Sequence, residues 1–168
     1  KTDILIIGAG LTGLLTAYTL SRLGLNIILV DKFNFVNLEN NKYDLRTTAI
    51  AEGSKEFLEN INFWSKIKKH AEEIKNIKVL DRSEQNNIDF NNNKKNRNLG
   101  YIVKNTEIKN ALLTKLKSIN NVVLIQNLLL KNIQQNSDFV RSYFNNTTIT
   151  SGLLIAADGK NSFVRNKL

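Results

Sequence analysis

Asp3–Asp31, DILIIGAGLTGLLTAYTLSRLGLNIILVD, sets out a strand, a glycine turn, a helix and a second strand in succession. Ile4–Ile7 is a β-branched and leucine run of the kind buried on both faces of a parallel sheet, and it stops at Gly8. From Leu11 the apolar residues Leu11, Leu14, Leu15, Tyr18 and Leu23 keep a helical period, and Gly24 supplies a stop signal. Ile27–Val30 reads as a second buried strand. Together these make one βαβ unit of about 30 residues, and its turn is Gly8-x-Gly10-x-x-Gly13.

The spacing has a chemical reason. Gly8 permits a tight turn, Gly10 lets the backbone approach a pyrophosphate, and Gly13 lets the helix lie close to the strand. Phosphates would sit at the helix N-terminus, where N–H groups without intrahelical partners and the helix dipole favour negative charge. Asp31 ends the second strand about 20 residues after the turn, where a carboxylate can accept hydrogen bonds from ribose hydroxyls. Two blander readings exist. A glycine-rich strand-to-helix corner is disfavoured by the flanking strands and the terminal acid. A signal peptide is a poor match to Asp3, the ordered glycines and Asp31.

The 168 residues suit one domain with a real core, or one domain and part of another. A start at Lys1 rather than Met suggests a piece of a longer protein. The net charge of +9 comes from basic residues scattered among Asn and Ile, without a basic stripe interleaved with aromatics, so nucleic-acid binding is not expected. There is no Cys, hence no disulfide, thiolate metal site or cysteine nucleophile. The one histidine, His70, lies in a charged run and reads as a solvated helix residue, which leaves no histidine triad or multi-histidine metal site within these residues. No apolar run is long enough to span a bilayer. A cytoplasmic protein is expected, with peripheral attachment to the inner membrane or association with a biosynthetic complex left open.

After Asp31 an asparagine-rich loop over 34–42 is expected, then Tyr43–Ile50. Thr47 or Thr48 is expected to cap a helix whose apolar positions are Ile50, Phe57, Leu58, Ile61 and Trp64. Arg46 lies just before it, either as a surface arginine or as part of the nucleotide site. Lys75–Asp81 and Asn87–Phe90 look like short strands, and 91–98 like a low-complexity loop. Leu99–Asn105 leads into a helix with Ile108, Leu112, Leu116 and Ile119 on one face and Asn105 as its cap. Val122–Gln126 reads as another buried strand. Leu128–Ile133, Asp138–Phe144 and Thr147–Thr150 read as a three-stranded antiparallel meander, and Leu153–Ala157 as a final buried strand ending in Asp158-Gly159. Ser162 is placed as the cap of a last helix through Phe163, Val164 and Arg165.

In this order, GAGLTG with Asp31, DLRTTAI with the helix to Phe63-Trp64, LGYIVKNTEIKNALL and LLIAADGKNSFVR resemble the flavin-dependent aromatic hydroxylases of the p-hydroxybenzoate hydroxylase type. The third stretch favours the ubiquinone-biosynthesis branch, the 2-polyprenylphenol hydroxylases. The fold class this implies is α/β: a Rossmann-like FAD-binding domain, with a parallel sheet and an antiparallel meander, over 1–73 and 99–168, and the first hairpin of a substrate domain over 74–98. The resemblance implies FAD as cofactor, with Gly8, Gly10 and Gly13 around the pyrophosphate, Asp31 on the adenosine ribose and Arg46 near the pyrophosphate. Asn105 would lie beside the cofactor, and Asp158 and Gly159 would contact it and, in related enzymes, reduced pyridine nucleotide. Lys32 is grouped with the same site, although its charge offsets the preference for FAD over NADP that Asp31 would impose. Arg165 matches a motif position without a clear role.

The implied reaction is monooxygenation of a polyprenylated phenol by dioxygen, through a hydroperoxyflavin, with NAD(P)H as electron donor. No catalytic acid or base is assigned. The chain departs from the family pattern at Lys104-Asn105-Thr106, where relatives often carry Glu-Asn-Arg. The family's later Gly-Asp motif does not fall within these residues and is expected beyond Leu168. Open alternatives are a flavoprotein acting on another aromatic or polyprenyl substrate, and a truncated, non-catalytic nucleotide-binding fragment.

Overall fold

The structure, a computed structural model, describes residues 1–35, 44–80, 87–91 and 98–167. In chain order the elements are β1 (Thr2–Ile7), α1 (Leu11–Ser21), β2 (Ile27–Val30), β3 (Thr47–Ala51), α2 (Glu52–Asn60) and α3 (Trp64–Ile67). A short 3-10 helix (Lys68–His70) follows, then β4 (Ala71–Ile74), β5 (Asn76–Leu80), β6 (Asn87–Asn91), β7 (Gly100–Lys104) and α4 (Asn105–Leu116). The chain ends with β8 (Val122–Ile125), β9 (Leu130–Gln135), β10 (Val140–Phe144) and β11 (Thr148–Ala156). The expected loops at 34–42 and 91–98 lie largely outside the described residues. Contacts divide the chain into one unit of residues 1–43 with 109–168, and another of residues 44–108.

The first unit holds a six-stranded sheet in the order β8-β2-β1-β11-β10-β9. β1 pairs in parallel with both β2 and β11, and β2 with β8, whereas β10 is antiparallel to β11 and to β9. The continuous apolar runs that predicted buried parallel strands are buried here: Leu5, Ile6, Leu29 and Val30 have no exposure at all. Each such side chain contributes on the order of 1.5–3 kcal/mol relative to an exposed one. Leu5, Ile7 and Val30 pack with Leu130, Phe144, Ile149 and Val164, joining the parallel and antiparallel halves through one core. Helix α1 buries Gly13, Leu14, Ala17, Tyr18 and Ser21, and Leu23, beyond its end, is exposed. Asn121 Nδ2 donates to the carbonyls of Ser21 and Leu25, at 2.9 and 2.7 Å, and so closes the helix C-terminus.

Three expectations for this unit are corrected. Thr147–Thr150 and Leu153–Ala157 are one strand, β11, whose first half is antiparallel to β10 and whose second half is parallel to β1. The apparent break at Ser151-Gly152 is a close approach, since a Cβ on Gly152 would lie 3.2 Å from the Asp3 carbonyl oxygen. β8 is an edge strand rather than a buried one, which is why Val123 is half exposed while Val122 is buried. Residues after Ser162 form successive turns rather than a helix.

The second unit contains an antiparallel sheet, β3-β7-β4, and the separate hairpin β5-β6. Thr47 and Thr48 do not cap a helix. They lie in β3, opposite Lys104 and Val103 of β7, because Thr47–Ile50, β-branched at three of its four positions, finds a partner strand. α2 starts after Ala51, with no side-chain cap. Gly100 makes the pairing possible, since a Cβ there would lie 2.5 Å from the Ile50 carbonyl oxygen. His70 falls in the 3-10 helix rather than an α-helix, and Ala71–Ile74, for which no element was expected, is a strand on the other edge of β7. The two short strands expected here form a hairpin, which pairs Ile77 with Phe90 and Val79 with Ile88. Among the described residues no helix is long and apolar enough to cross a membrane.

Candidate functional site

The registers of the first unit bring the parallel strand ends into one row. Ile7 is opposite both Val30 and Ala156, and Val30 is opposite Ile125. The residues that follow these ends are Gly8, Asp31, Ala157 and Gln126. Ligands of open α/β sheets bind beyond the carboxyl ends of the strands, so this row is where a nucleotide site belongs.

The Ile7–Gly8 peptide links the two neighbouring strands: the Gly8 N–H donates to Val30 O at 2.7 Å, and Ile7 O accepts from the Ala157 N–H at 2.8 Å. The φ of Gly8 is +104°, and a Cβ would run into the Ala157 carbonyl and the Asp158 Cα. Gly13, in the first turn of α1, lies against the Gly8 carbonyl, with Ala157 Cβ 3.3 Å from where its own Cβ would be. Both glycines are therefore required by the protein's own packing.

Gly10 is different. It is the N-cap of α1 at φ −70° and ψ −179°, which any residue adopts, and a Cβ there would meet nothing within 4 Å. Neither backbone conformation nor internal packing calls for glycine at this position. What remains is room for something outside the chain to approach the backbone. α1 carries no acidic residue in its first turn and no side-chain cap bond, so its N-terminal N–H groups suit an anion. The open space at Gly10 and the free start of α1 fit the diphosphate of a dinucleotide such as FAD.

Asp31 stands at the end of β2, with its Oδ2 accepting from the Ala9 N–H at 2.6 Å and its Oδ1 from the Phe33 N–H at 2.8 Å. A carboxylate offers about four lone-pair directions, so capacity remains for ribose hydroxyls. Lys32 Nζ lies 5.1 Å from the centroid of the Phe33 ring.

Asp158 is tied into the turns that follow it. Its Oδ1 accepts from Ser162 Oγ at 2.5 Å, and its Oδ2 accepts from the N–H groups of Phe163 and Val164 at 2.7 and 3.2 Å. Ser162 Oγ in turn accepts from the Arg165 N–H at 3.0 Å, a capping bond without a regular helix, and Arg165 Nη2 donates to Lys160 O. Partial burial raises the Asp158 pKa, but the Ser162 hydroxyl and the backbone N–H groups outweigh it and hold the carboxyl below its ordinary range. Gly159 takes φ +85°. In this arrangement the Asp158 side chain shapes the chain after β11, and Arg165 belongs to the same local network.

Arg46 and Asn105 lie in the second unit. Arg46 forms a bidentate pair with Asp44, Nε to Oδ1 at 2.7 Å and Nη2 to Oδ2 at 2.8 Å, and this pairing raises its pKa. The aspartate side chain is 3 % exposed and the arginine 74 %, so the guanidinium is held from behind and presented outward. Asn105 opens α4; its N–H donates to Arg46 O at 3.0 Å, and its Oδ1 accepts from Thr48 Oγ1 at 2.6 Å. Asp44 is not singled out by the sequence reading, although the Asp-x-Arg spacing is a signal for it, and Thr48, expected as a helix cap, instead holds the Asn105 side chain. Among the described residues no cluster of His, Asp or Glu could hold a metal ion.

Comparisons with known proteins bear on the family and the fold. The FAD-binding domain family matches residues 1–168. The chain is 28 % identical to ubiquinone hydroxylase UbiM of Neisseria meningitidis over 99 % of its own length and 38 % of that protein's. It is 27 % identical to ubiquinone hydroxylase UbiL of Rhodospirillum rubrum, over 97 % of this chain and 38 % of the relative. It thus spans about two-fifths of the length of the relatives it matches. Among solved structures, p-nitrophenol 4-monooxygenase PnpA of Pseudomonas putida superposes with a TM-score of 0.83 at 18 % identity, covering 99 % of this chain and 43 % of that one. PqsL of Pseudomonas aeruginosa, described as a probable FAD-dependent monooxygenase, gives 0.79 at 17 %, over 99 % of this chain and 44 % of that one. At such identities these likenesses establish the fold. By the match over its whole length, the chain belongs to the FAD-binding domain family.

Proposed function

We propose that this chain is the FAD-binding part of a monooxygenase that hydroxylates the aromatic ring of a polyprenylated phenol in ubiquinone biosynthesis, with NAD(P)H as electron donor and dioxygen as co-substrate. The observation that carries the reading is the open space at Gly10, at a turn whose other glycines are explained by packing. The direction toward ubiquinone rests on the similarity to the ubiquinone hydroxylases of Neisseria and Rhodospirillum. The flavin, when bound, supplies the redox and oxygen chemistry. The chain's own residues hold it: the Gly8–Gly13 turn and the start of α1 take the pyrophosphate, and Asp31 the adenosine ribose with Lys32 beside it. Arg46, backed by Asp44, adds a cation for the phosphates. Asn105, Asp158 and Gly159 are assigned to the cofactor's surroundings, Asp158 by shaping the chain after β11.

We assign residues 74–98 to a substrate domain and the remainder to the FAD-binding domain. The apolar substrate class also makes peripheral contact with a membrane surface part of this reading. The test is to purify the complete protein, measure bound flavin, and follow NAD(P)H oxidation with a polyprenylphenol under labelled dioxygen. Stoichiometric FAD and one labelled oxygen in the ring are the expected results. A flavin-free protein, or reduction of the prenyl chain instead, would refute it.

A further inference from the structure

Asp31 is anchored at both its main chain and its side chain. Its N–H donates to Ile125 O at 2.9 Å, and its carbonyl accepts from the Leu128 N–H at 3.0 Å, so the backbone is fixed against the end of β8 and the chain that follows. From that position the carboxylate reaches across to the Ala9 N–H at 2.6 Å. Ala9 is fully buried, and it lies between the two glycines whose peptide planes shape the turn. A buried N–H left without an acceptor is costly, and a charged acceptor is the strong kind. This bond involves no ribose. A carboxylate beside a phosphate site also repels the anion, so the charge is unfavourable for phosphate binding unless it does something else there.

We propose that Asp31 is a positioning residue for the phosphate-binding turn: through the Ala9 N–H it holds Gly8–Gly10 in the anion-binding shape, independently of any contact with ribose. The inference deepens the flavin reading and rests on it for the identity of the ligand. Ribose recognition uses the lone pairs that Ala9 and Phe33 leave free. The turn is then pre-shaped from the end of the neighbouring strand, and nucleotide binding does not have to order it.

Inorganic pyrophosphate separates the two roles because it has no ribose. In the complete protein, Asp31→Ala and Asp31→Asn are compared with the unaltered chain by amide hydrogen exchange at Ala9 and by titration with inorganic pyrophosphate. Positioning predicts Ala9 exchange at least about tenfold faster, and pyrophosphate bound at least about threefold more weakly, although a repelling charge has been removed. Unchanged exchange overturns the proposal. So does pyrophosphate affinity that stays the same or rises, the outcome expected if Asp31 acts only on ribose. Should Asp31→Ala not fold, Asp31→Asn keeps the side chain's shape with a single acceptor oxygen for two N–H groups, and the same two outcomes decide. If the unaltered protein takes up neither FAD nor pyrophosphate, the flavin reading fails, while Ala9 exchange still tests the role of Asp31.

Discussion

The three glycines of the turn share one motif and have different reasons for being glycine. Gly8 and Gly13 leave no room for a Cβ within the protein, whereas the space beside Gly10 is open. Gly10→Val should therefore leave the melting temperature within a few degrees of the parent, since its main cost is a poorer helix cap of about 1 kcal/mol. It should nevertheless abolish flavin retention on purification. Gly13→Val should instead lose about 3 kcal/mol or more in denaturant unfolding, because the Gly8 carbonyl would have to move. A Gly10→Val protein that stays stoichiometrically yellow would remove the pyrophosphate from this turn. Asp158 gives a second residue-scale test. Its pKa is lower in the folded protein than in the unfolded chain, so its stabilisation is complete above the ordinary carboxylate pKa and fades as pH falls toward the folded value. Asp158→Asn should cost on the order of 2 kcal/mol at neutral pH, and the gap from the parent should narrow in acid. A gap independent of pH between 7 and 3 would contradict the capping role.

At the level of elements, legibility followed the source of each element's stability. β1, α1 and β2 were readable because each contains its own signal: unbroken apolar runs for strands buried on both faces, and a helical period between them. β4 is not, because Ala71-Glu72-Glu73 are residues depleted in strands and the segment becomes one by pairing with β7. β3 was missed for a related reason, as its threonines serve equally well as caps until Gly100 admits the Ile50 carbonyl. β11 reads as two strands in the sequence because Gly152 marks a close approach in the middle of a long one. In the site, the glycines and Asp31 could be found from spacing, whereas the bonds from Asp158 to Ser162 and from Asp44 to Arg46 depend on how the chain turns after a strand or before one. Gly100→Val tests the pairing argument at this scale. It should lower the stability of the second unit by about 3 kcal/mol, with amide exchange quickening across β3 and β7 and the β1–β11 pairing unaffected. Equal protection in mutant and parent would show that the close approach at Gly100 is not what joins these strands.

For the whole molecule, the balance of buried and exposed apolar surface differs between the two units. The first encloses its core between the parallel and antiparallel parts of one sheet. In the second, the hairpin β5-β6 forms a sheet by itself, with Ile77, Val79, Ile88 and Phe90 each between 43 and 57 % exposed. A lone two-stranded hairpin is marginal in water, and unpaired strand edges with an apolar face promote association. The relatives are more than twice as long as this chain, which leaves room in such proteins for further strands and for the other end of a cofactor site. Residues 1–168 expressed alone should therefore bind FAD more weakly than the complete protein and hydroxylate no phenol, because a flavin that water can reach discharges its oxygen chemistry as peroxide. The hairpin amides should exchange fast, and the dye ANS should bind. Ile88→Thr with Phe90→Ser should reduce the dye signal and any self-association, while the first unit keeps its exchange protection. The parent's weak FAD affinity should survive in that double mutant, since every residue assigned to the pyrophosphate and the adenosine ribose lies outside the hairpin. Tight FAD binding and coupled hydroxylation by residues 1–168 alone would show that the half-exposed hairpin is no sign of missing cover, and that these residues need no further part of the protein for either task.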